Sequence, residues 1–251
     1  MAAPSVTVVY PMFNEEAYVE RAVSAARAVL ERAAIDFEIV VVDDASTDGT
    51  AAIADRLARE DPRVRVLHNP VNLKLGGALR AGYAAATRDL VFYTDADLPI
   101  DLEELPRAMR LLDYQQADVV AAYRHDRTSE GWLRTIYTFT YNQMIRILFG
   151  LKVRDVNFAF KLFRRSVLAK FPLKSQGSFI DAEFLLRAKK HGCPIIQIGL
   201  DYFPRTRGSS RARRSAMAAV PSVEASSTTT ISKSVPARSS TVRAAATARS
   251  T

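Results

Sequence analysis

Apolar segments typical of buried strands alternate with amphipathic helical patterns over the first half of the chain. The apolar runs occupy residues 5–10, 37–44, 63–69, 90–97 and 117–124. The helical patterns between them occupy residues 15–32, 47–59 and 76–87. Nearly continuous apolar strands that alternate with helices are typical of a mostly parallel sheet with helices on both faces, because both faces of such strands are buried. We therefore predict an α/β fold.

The second half begins with a long helical pattern over residues 132–149. An apolar run at 158–163, a helix around 181–191 and a strand at 194–203 follow it. The long helix combines aromatic and aliphatic residues with a few polar ones such as Arg134. Two interpretations stay open for this helix: packing in the core, or an interfacial position on a membrane surface.

Residues 208–251 differ in composition from the rest of the chain. They contain no Phe, Tyr or Trp and consist mainly of Ser, Thr, Ala and Arg. Such a segment cannot bury enough apolar surface to offset the loss of chain entropy on folding. We predict a folded domain at residues 1–207 and a disordered tail at 208–251.

The charge of the chain is unevenly distributed. The net charge is +8, and the tail, with seven Arg or Lys residues and one Glu, accounts for +6 of it. The tail also lacks aromatic side chains on which bases could stack, so we predict no nucleic-acid partner. The single cysteine, Cys193, excludes an intramolecular disulfide and fits a reducing compartment. Neither a signal peptide nor a transmembrane helix is predicted.

Acidic residues collect where two of the predicted strands end. Asp95 and Asp97 end the fourth apolar run, and Asp43 and Asp44 end the second. The carboxyl ends of parallel strands meet at one edge of a sheet, where such sheets bind their ligands. Two carboxylates one residue apart supply oxygen ligands that suit Mg²⁺ or Mn²⁺, with substrate phosphates completing the coordination. By itself the D-x-D pattern is better explained by helix capping, the role that we predict for Asp101.

Three segments carry a resemblance to a known family: VVYPMFNEE (8–16), IVVVDDASTDGT (39–50) and NLKLGGALRAGYAAATRDLVFYTDADL (72–98). In this order they resemble the inverting family 2 glycosyltransferases with a GT-A fold. The resemblance covers about residues 5–207 and is greatest to the polyprenyl-phosphate sugar transferases, the dolichol-phosphate mannose or glucose synthase group. It implies GDP-mannose or UDP-glucose as donor, Mg²⁺ or Mn²⁺ as cofactor, and a polyprenyl phosphate acceptor. It also implies a peripheral location on the cytoplasmic face of a membrane.

The resemblance assigns donor contacts to individual positions. It implies donor binding by Pro11, Phe13, Glu15, Val42, Asp44, Asp95, Ala96, Asp97, Arg124, Arg205 and Arg211. Asp95 and Asp97 match the catalytic D-x-D that holds the metal and the diphosphate. Arg205 and Arg211 lie in RTRGSSR, which resembles the family pattern R-x-x-G-x-S-K with Arg in place of Lys. Pro99 stands where relatives often carry Gln, which removes a side-chain contact.

The acceptor phosphate is assigned by the same resemblance to Arg124, Arg134 and Thr138. Arginines among apolar and aromatic residues also suit phosphate binding in their own right. A phosphate is already an anion at neutral pH and needs no general base, whereas a hydroxyl acceptor does. The candidates for such a catalytic base are Asp155 and Asp181, and Asp181 is explained even better as the cap of the helix that follows it.

Two other functions stay open on the sequence alone. A family 2 transferase with a saccharide or protein hydroxyl as its acceptor would depend on Asp155 or Asp181 and not on Arg134. A nucleotide-sugar-binding protein that lost its activity with its C-terminus would bind the donor without turnover.

Overall fold

The computed structural model describes residues 4–125 and 132–202, with side chains for all of these except residues 132–139. The strands β1–β7 are Val6–Met12, Phe37–Asp43, Val64–His68, Leu90–Thr94, Val119–Arg124, Phe160–Arg164 and Ile195–Leu200. The helices α1–α7 are Val19–Arg32, Thr50–Glu60, Lys74–Ala85, Glu104–Tyr114, Trp132–Phe149, Val167–Lys170 and Phe179–Lys190. Each predicted strand and helix of this region is present, with ends that differ by a few residues.

All seven strands form one sheet in the order β3-β2-β1-β4-β6-β5-β7. Every pairing is parallel except those of β6, which runs antiparallel to both β4 and β5. The apolar side chains form two core clusters, with α1, α2 and α4 packed on one face and α3, α5, α6 and α7 on the other. The predicted α/β fold, a mostly parallel sheet with helices on both faces, is confirmed.

The close packing of α3 on the sheet depends on a glycine. A Cβ atom at Gly82 would collide with the Val9 side chain of β1 and press on Val42 of β2. Glycine has no Cβ, so the helix backbone can approach the strands at this point. The Val42 side chain is completely buried in this core. The whole residue, backbone included, has no exposed surface in this conformation.

Helix α1 begins four residues later than the helical pattern over residues 15–32 predicts. Asn14 has a left-handed backbone (φ 55°), and its side-chain oxygen accepts a hydrogen bond from the Thr47 N–H (2.8 Å). The Glu16 carboxylate accepts in the same way from the Gly49 N–H (2.7 Å). Asn14 and Glu16 therefore join the loop after β1 to the loop after β2, and the helix begins at Val19.

The parallel strands β1, β2, β4 and β5 all point their carboxyl ends to one edge of the sheet. The loops that follow them carry the acidic and basic residues singled out from the sequence.

Among the described residues, no helix combines the length and the apolar character required to cross a bilayer.

Candidate active site at the carboxyl edge of the sheet

The acidic pair lies in a tight turn directly after β4. The Tyr93 hydroxyl donates a hydrogen bond to Oδ1 of Asp95 (3.3 Å), and the Leu98 N–H donates to the Asp95 carbonyl (3.2 Å). Arg21 of α1 donates from Nη2 to the Asp97 carbonyl (3.1 Å). The turn is therefore held from the strand and from a neighbouring helix, and the contribution of Arg21 was not predicted from the sequence.

Burial and neighbouring charge oppose ionisation at this turn. Burial, together with the neighbouring carboxylates of Asp97 and Asp181, raises the pKa of Asp95 to about 7. A cation bound by Asp95 and Asp97 would reverse this effect. The described residues contain no group of three or more His, Cys, Asp or Glu side chains suited to a metal. The pair therefore fits a divalent ion that takes its other ligands from water and substrate phosphate.

A cleft of about 440 Å³ opens beside the acidic pair. It is lined by Pro11, Glu15, Asp95, Ala96, Asp97, Pro99, Arg124, Asn157, Phe158, Ala159 and Tyr202. Six of the residues predicted to bind the donor therefore meet around one cavity, and Arg124 among them is also a predicted acceptor ligand. Asn157, Phe158, Ala159 and Tyr202 were not predicted as site residues from the sequence.

Arg124 and Asp155 form a buried ion pair at this cleft. Nε of Arg124 lies 2.8 Å from Oδ2 of Asp155, and the two side chains are 8% and 0% exposed. The Arg124 guanidinium also lies over the rings of Phe158 and Tyr202, at 5.3 Å and 5.0 Å from their centroids. The paired carboxylate and the two rings fix the orientation of the guanidinium.

Asp181 has a different role from the cap predicted for it. The helix α7 begins at Phe179, so Asp181 lies within its first turn and is buried. Its Oδ1 is 2.7 Å from Nζ of Lys161 in β6. The cap prediction for Asp181 is therefore wrong. Lys161 was missed, although a lysine inside the apolar run FAFKLF was a detectable signal.

The loop after β2 holds its two acidic residues differently. Oδ1 of Asp44 accepts hydrogen bonds from Nδ2 of Asn69 (2.7 Å) and from the Leu73 N–H (2.9 Å). Asp43 instead pairs with Nδ1 of His68 (2.9 Å), and hydrogen bonds and charge from Asp43 raise the pKa of His68. Asp44 therefore anchors the segment that leads into α3.

The remaining predicted residues have different surroundings. Phe13 is largely exposed at the end of β1. The helix cap predicted at Asp101 is wrong, since Glu103 is the N-cap of α4; the Asp101 carboxylate accepts a hydrogen bond from the Glu103 N–H (3.0 Å) in the turn before the helix. Arg205 and Arg211, together with the side chains of Arg134 and Thr138, lie outside the described residues.

Comparison with known proteins identifies the family. The chain is 33% identical over 212 residues to glycosyltransferase AglD of Haloferax volcanii, covering 81% of this chain but only 34% of AglD. It is 30% identical over 215 residues to polyprenol monophosphomannose synthase of Mycolicibacterium smegmatis, covering 81% of this chain and 79% of that enzyme.

A solved structure and a family profile agree with these relatives. Glucosyl-3-phosphoglycerate synthase from Mycobacterium tuberculosis, crystallised with Mn²⁺, UDP-glucose and phosphoglyceric acid, superposes with a TM-score of 0.64 at 25% identity. The superposition covers 84% of this chain and 75% of that one. The profile of glycosyl transferase family 2 matches residues 7–171. This chain belongs to glycosyltransferase family 2, has the GT-A fold and is a glycosyltransferase.

Proposed function

We propose that the enzyme transfers a hexose from a nucleotide-diphosphate sugar to a polyprenyl phosphate, with inversion and with the help of a divalent metal. An oxygen of the acceptor phosphate attacks the anomeric carbon as the bond to the donor diphosphate breaks, and the nucleoside diphosphate leaves. Residues 1–207 form the catalytic GT-A domain in this proposal, and residues 208–251 form a disordered tail.

The observation that carries the proposal is the pairing of both candidate bases. Asp155 is bound to Arg124 and Asp181 is bound to Lys161, both as buried ion pairs. Burial raises the pKa of Asp181, but proton uptake by either carboxylate would leave its cation buried without a partner, so both are engaged in structural ion pairs. An acceptor that is already an anion requires no base. A phosphate acceptor fits this site better than a hydroxyl.

The donor diphosphate belongs at the turn after β4. Asp95 and Asp97 would hold Mg²⁺ or Mn²⁺ there, and the metal would neutralise the diphosphate as it leaves. Pro11, Phe13 and Glu15, with Val42, Asp44 and Ala96, would contact the nucleotide. Arg205 and Arg211 would add charge at the diphosphate. GDP-mannose and UDP-glucose are both retained as donors, since one relative is named for mannose and one structural neighbour binds UDP-glucose.

The acceptor phosphate belongs beside Arg124, on the other side of the cleft. The guanidinium is oriented by Asp155, and the planar fork of an arginine suits phosphate oxygens. Arg134 and Thr138, one helical turn apart in α5, would complete the phosphate site. Under this proposal Asp155 orients Arg124, and its role as a catalytic base belongs to the hydroxyl-acceptor alternative.

The lipid chain of the acceptor and the membrane belong at the C-terminal end of α5. Met144, Ile147, Leu148 and Phe149 are all exposed there, and Ile147 is 77% exposed. An exposed group of large apolar side chains on one helix end is suited to contact with lipid. We propose that this end of α5 rests on the cytoplasmic face of a membrane.

A radiolabel assay tests the function. Labelled GDP-mannose or UDP-glucose is incubated with polyprenyl phosphate in detergent, with Mg²⁺, with Mn²⁺ or with a chelator. We expect labelled lipid from one donor, no product with the chelator, and no product from Asp97→Ala. Turnover that survives both the chelator and Asp97→Ala would contradict the metal-assisted mechanism.

A second function has support from one comparison. The structural neighbour with 25% identity acts on a small phosphorylated hydroxy acid according to its name and its complex with phosphoglyceric acid. A hydroxyl acceptor that carries its own phosphate could use Arg124 for that phosphate and Asp155 as the base. Transfer to 3-phosphoglycerate without transfer to polyprenyl phosphate would favour this alternative.

A further inference from the structure

Lys161 is a buried charge in the middle of the sheet. It lies in β6, directly opposite Tyr93 of β4, and its side chain is 2% exposed. Removing an ammonium group from water is costly, and an apolar residue of the same volume would fill the site with equal or better stability. A buried lysine at this position therefore points to a role beyond packing.

The ammonium group has fixed partners on three sides. Nζ lies 2.7 Å from Oδ1 of Asp181, donates to the carbonyl of Phe158 (2.7 Å) and sits 5.8 Å from the centre of the Tyr93 ring. Asp181 is itself only 3% exposed. The ion pair thus connects β6 to α7 and to the residues just before β6.

The carbonyl that Lys161 holds shapes a sharp turn. The Phe160 N–H also donates to the Phe158 carbonyl (2.8 Å), which closes a three-residue turn around Ala159. Asn157, Phe158 and Ala159 all line the cleft, and the Phe158 ring supports the Arg124 guanidinium. The direction of this cleft wall therefore depends on the carbonyl that Lys161 binds.

The same ammonium lies close to the acidic pair. Its charge favours the ionised form of Asp95, whereas Asp97 and Asp181 oppose it. The Tyr93 ring contacts Lys161, and the Tyr93 hydroxyl is bonded to Asp95. Lys161 thus lies between Asp95 and the turn at residues 158–160, which supports Arg124 through Phe158.

We propose that Lys161 is a positioning residue of the transfer reaction: its ammonium, fixed by Asp181, holds the turn at residues 158–160 so that Phe158 and Arg124 are in place for the acceptor. The acceptor chemistry in this statement rests on the proposed function. The claim that Lys161 holds the turn does not rest on the proposed function. Each of the two claims can therefore fail without the other.

The test removes both charges together. Lys161→Met alone would leave Asp181 buried without its cation and could unfold the protein, so the variant is Lys161→Met with Asp181→Leu. Removing both members of a buried pair is tolerated far better than removing one. Lys161→Met with Asp181→Asn is the second variant. The control is Lys170→Met with Asp118→Asn, which removes a more exposed Lys–Asp pair (3.0 Å).

Hydrogen exchange and steady-state kinetics are the two measurements. We expect the double variant to unfold cooperatively. Its amides at residues 158–160 should exchange about tenfold faster than in the wild type, as for the loss of one hydrogen bond. The control variant should show no change in exchange at these residues. The KM for the acceptor should rise roughly tenfold at an unchanged KM for the donor. A variant that merely contained less folded enzyme would lower kcat and leave both KM values alone.

Three results would overturn the proposal. The first is unchanged exchange at residues 158–160 in a folded double variant. The second is an unchanged KM for the acceptor. The third is failure of both double variants to unfold cooperatively, since the pair would then be a stability element. If the double variant exchanges faster at residues 158–160 but the wild type transfers no sugar to polyprenyl phosphate, the role of Lys161 in holding the turn stands. Only the proposed function is then contradicted.

Discussion

Arg124 offers Asp155 two N–H groups, with Nε 2.8 Å from Oδ2 and Nη2 3.4 Å from Oδ1. The pair is buried, and Phe158 and Tyr202 flank the guanidinium. A buried arginine held in this way has a fixed guanidinium orientation. This relationship supports the proposal that Asp155 positions Arg124 for a phosphate acceptor.

Substitutions of the two partners should separate positioning from base catalysis. Arg124→Lys loses the planar fork, and we expect it to lower kcat/KM for the acceptor by about 100-fold. Asp155→Asn keeps one acceptor oxygen for Arg124, so its kcat/KM for the acceptor should fall less than that of Arg124→Lys. Arg154→Lys, which alters an exposed guanidinium over the Tyr123 ring, is the control. A complete loss in Asp155→Asn together with near-normal Arg124→Lys would instead identify Asp155 as a base.

The stability of the metal-free protein should fall as the pH rises towards 7. Burial beside Asp97 and Asp181 raises the pKa of Asp95 from 3.8 to about 7 in the folded protein. The folded state therefore holds the proton more tightly, and this contribution is fully present below about pH 4 and lost as the pH rises through about 7. Its size is on the order of a few kcal/mol.

Urea unfolding in a chelator between pH 4 and 8 measures this effect. Asp95→Asn cannot ionise, so the free energy of unfolding of the wild type should fall relative to that of Asp95→Asn from about pH 4 to about pH 7 and level off above it. Asp101→Asn, in the exposed turn before α4, is the control. A difference between wild type and Asp95→Asn that does not change with pH would show that the carboxyl is not protonated in the folded protein.

The exposed end of α5 should determine membrane binding. Ile147→Ser with Leu148→Ser removes two large apolar side chains that are 77% and 66% exposed, so the free energy of unfolding should change little. Binding to liposomes in sedimentation assays should drop by roughly tenfold or more. Tyr114→Ser, which removes an 87% exposed side chain at the end of α4, should leave liposome binding unchanged. Equal loss in both variants would exclude a specific role for α5.

Two truncations test the domain boundary and Arg211 separately. A chain that ends at Arg214 should keep the wild-type free energy of unfolding and the KM for the donor, because the removed residues bury little apolar surface. A second truncation at Arg214 that also carries Arg211→Ala loses only Arg211 in addition, and its KM for the donor should rise about tenfold through the loss of a charged hydrogen bond. Donor KM values that agree between the two truncations would remove Arg211 from the site.

The sequence predicted the layout of the sheet edge better than the contacts made there. Apolar runs located the strands, and strand direction then placed Asp44, Asp95 and Arg124 at one edge. The antiparallel insertion of β6 was not predictable in this way, because an apolar run does not specify strand direction. The pair Lys161–Asp181 was missed for a related reason: the two residues lie on a strand and a helix, so no sequence spacing links them.

The most direct test of the central claim compares two lipid acceptors of equal chain length, polyprenyl phosphate and polyprenol, with the better donor and its metal. If the acceptor phosphate is the nucleophile and no base operates, labelled hexose should pass to polyprenyl phosphate and not to polyprenol. Arg124→Lys should reduce that transfer. Transfer to polyprenol at a comparable rate, or to neither lipid while 3-phosphoglycerate is labelled, would contradict the account.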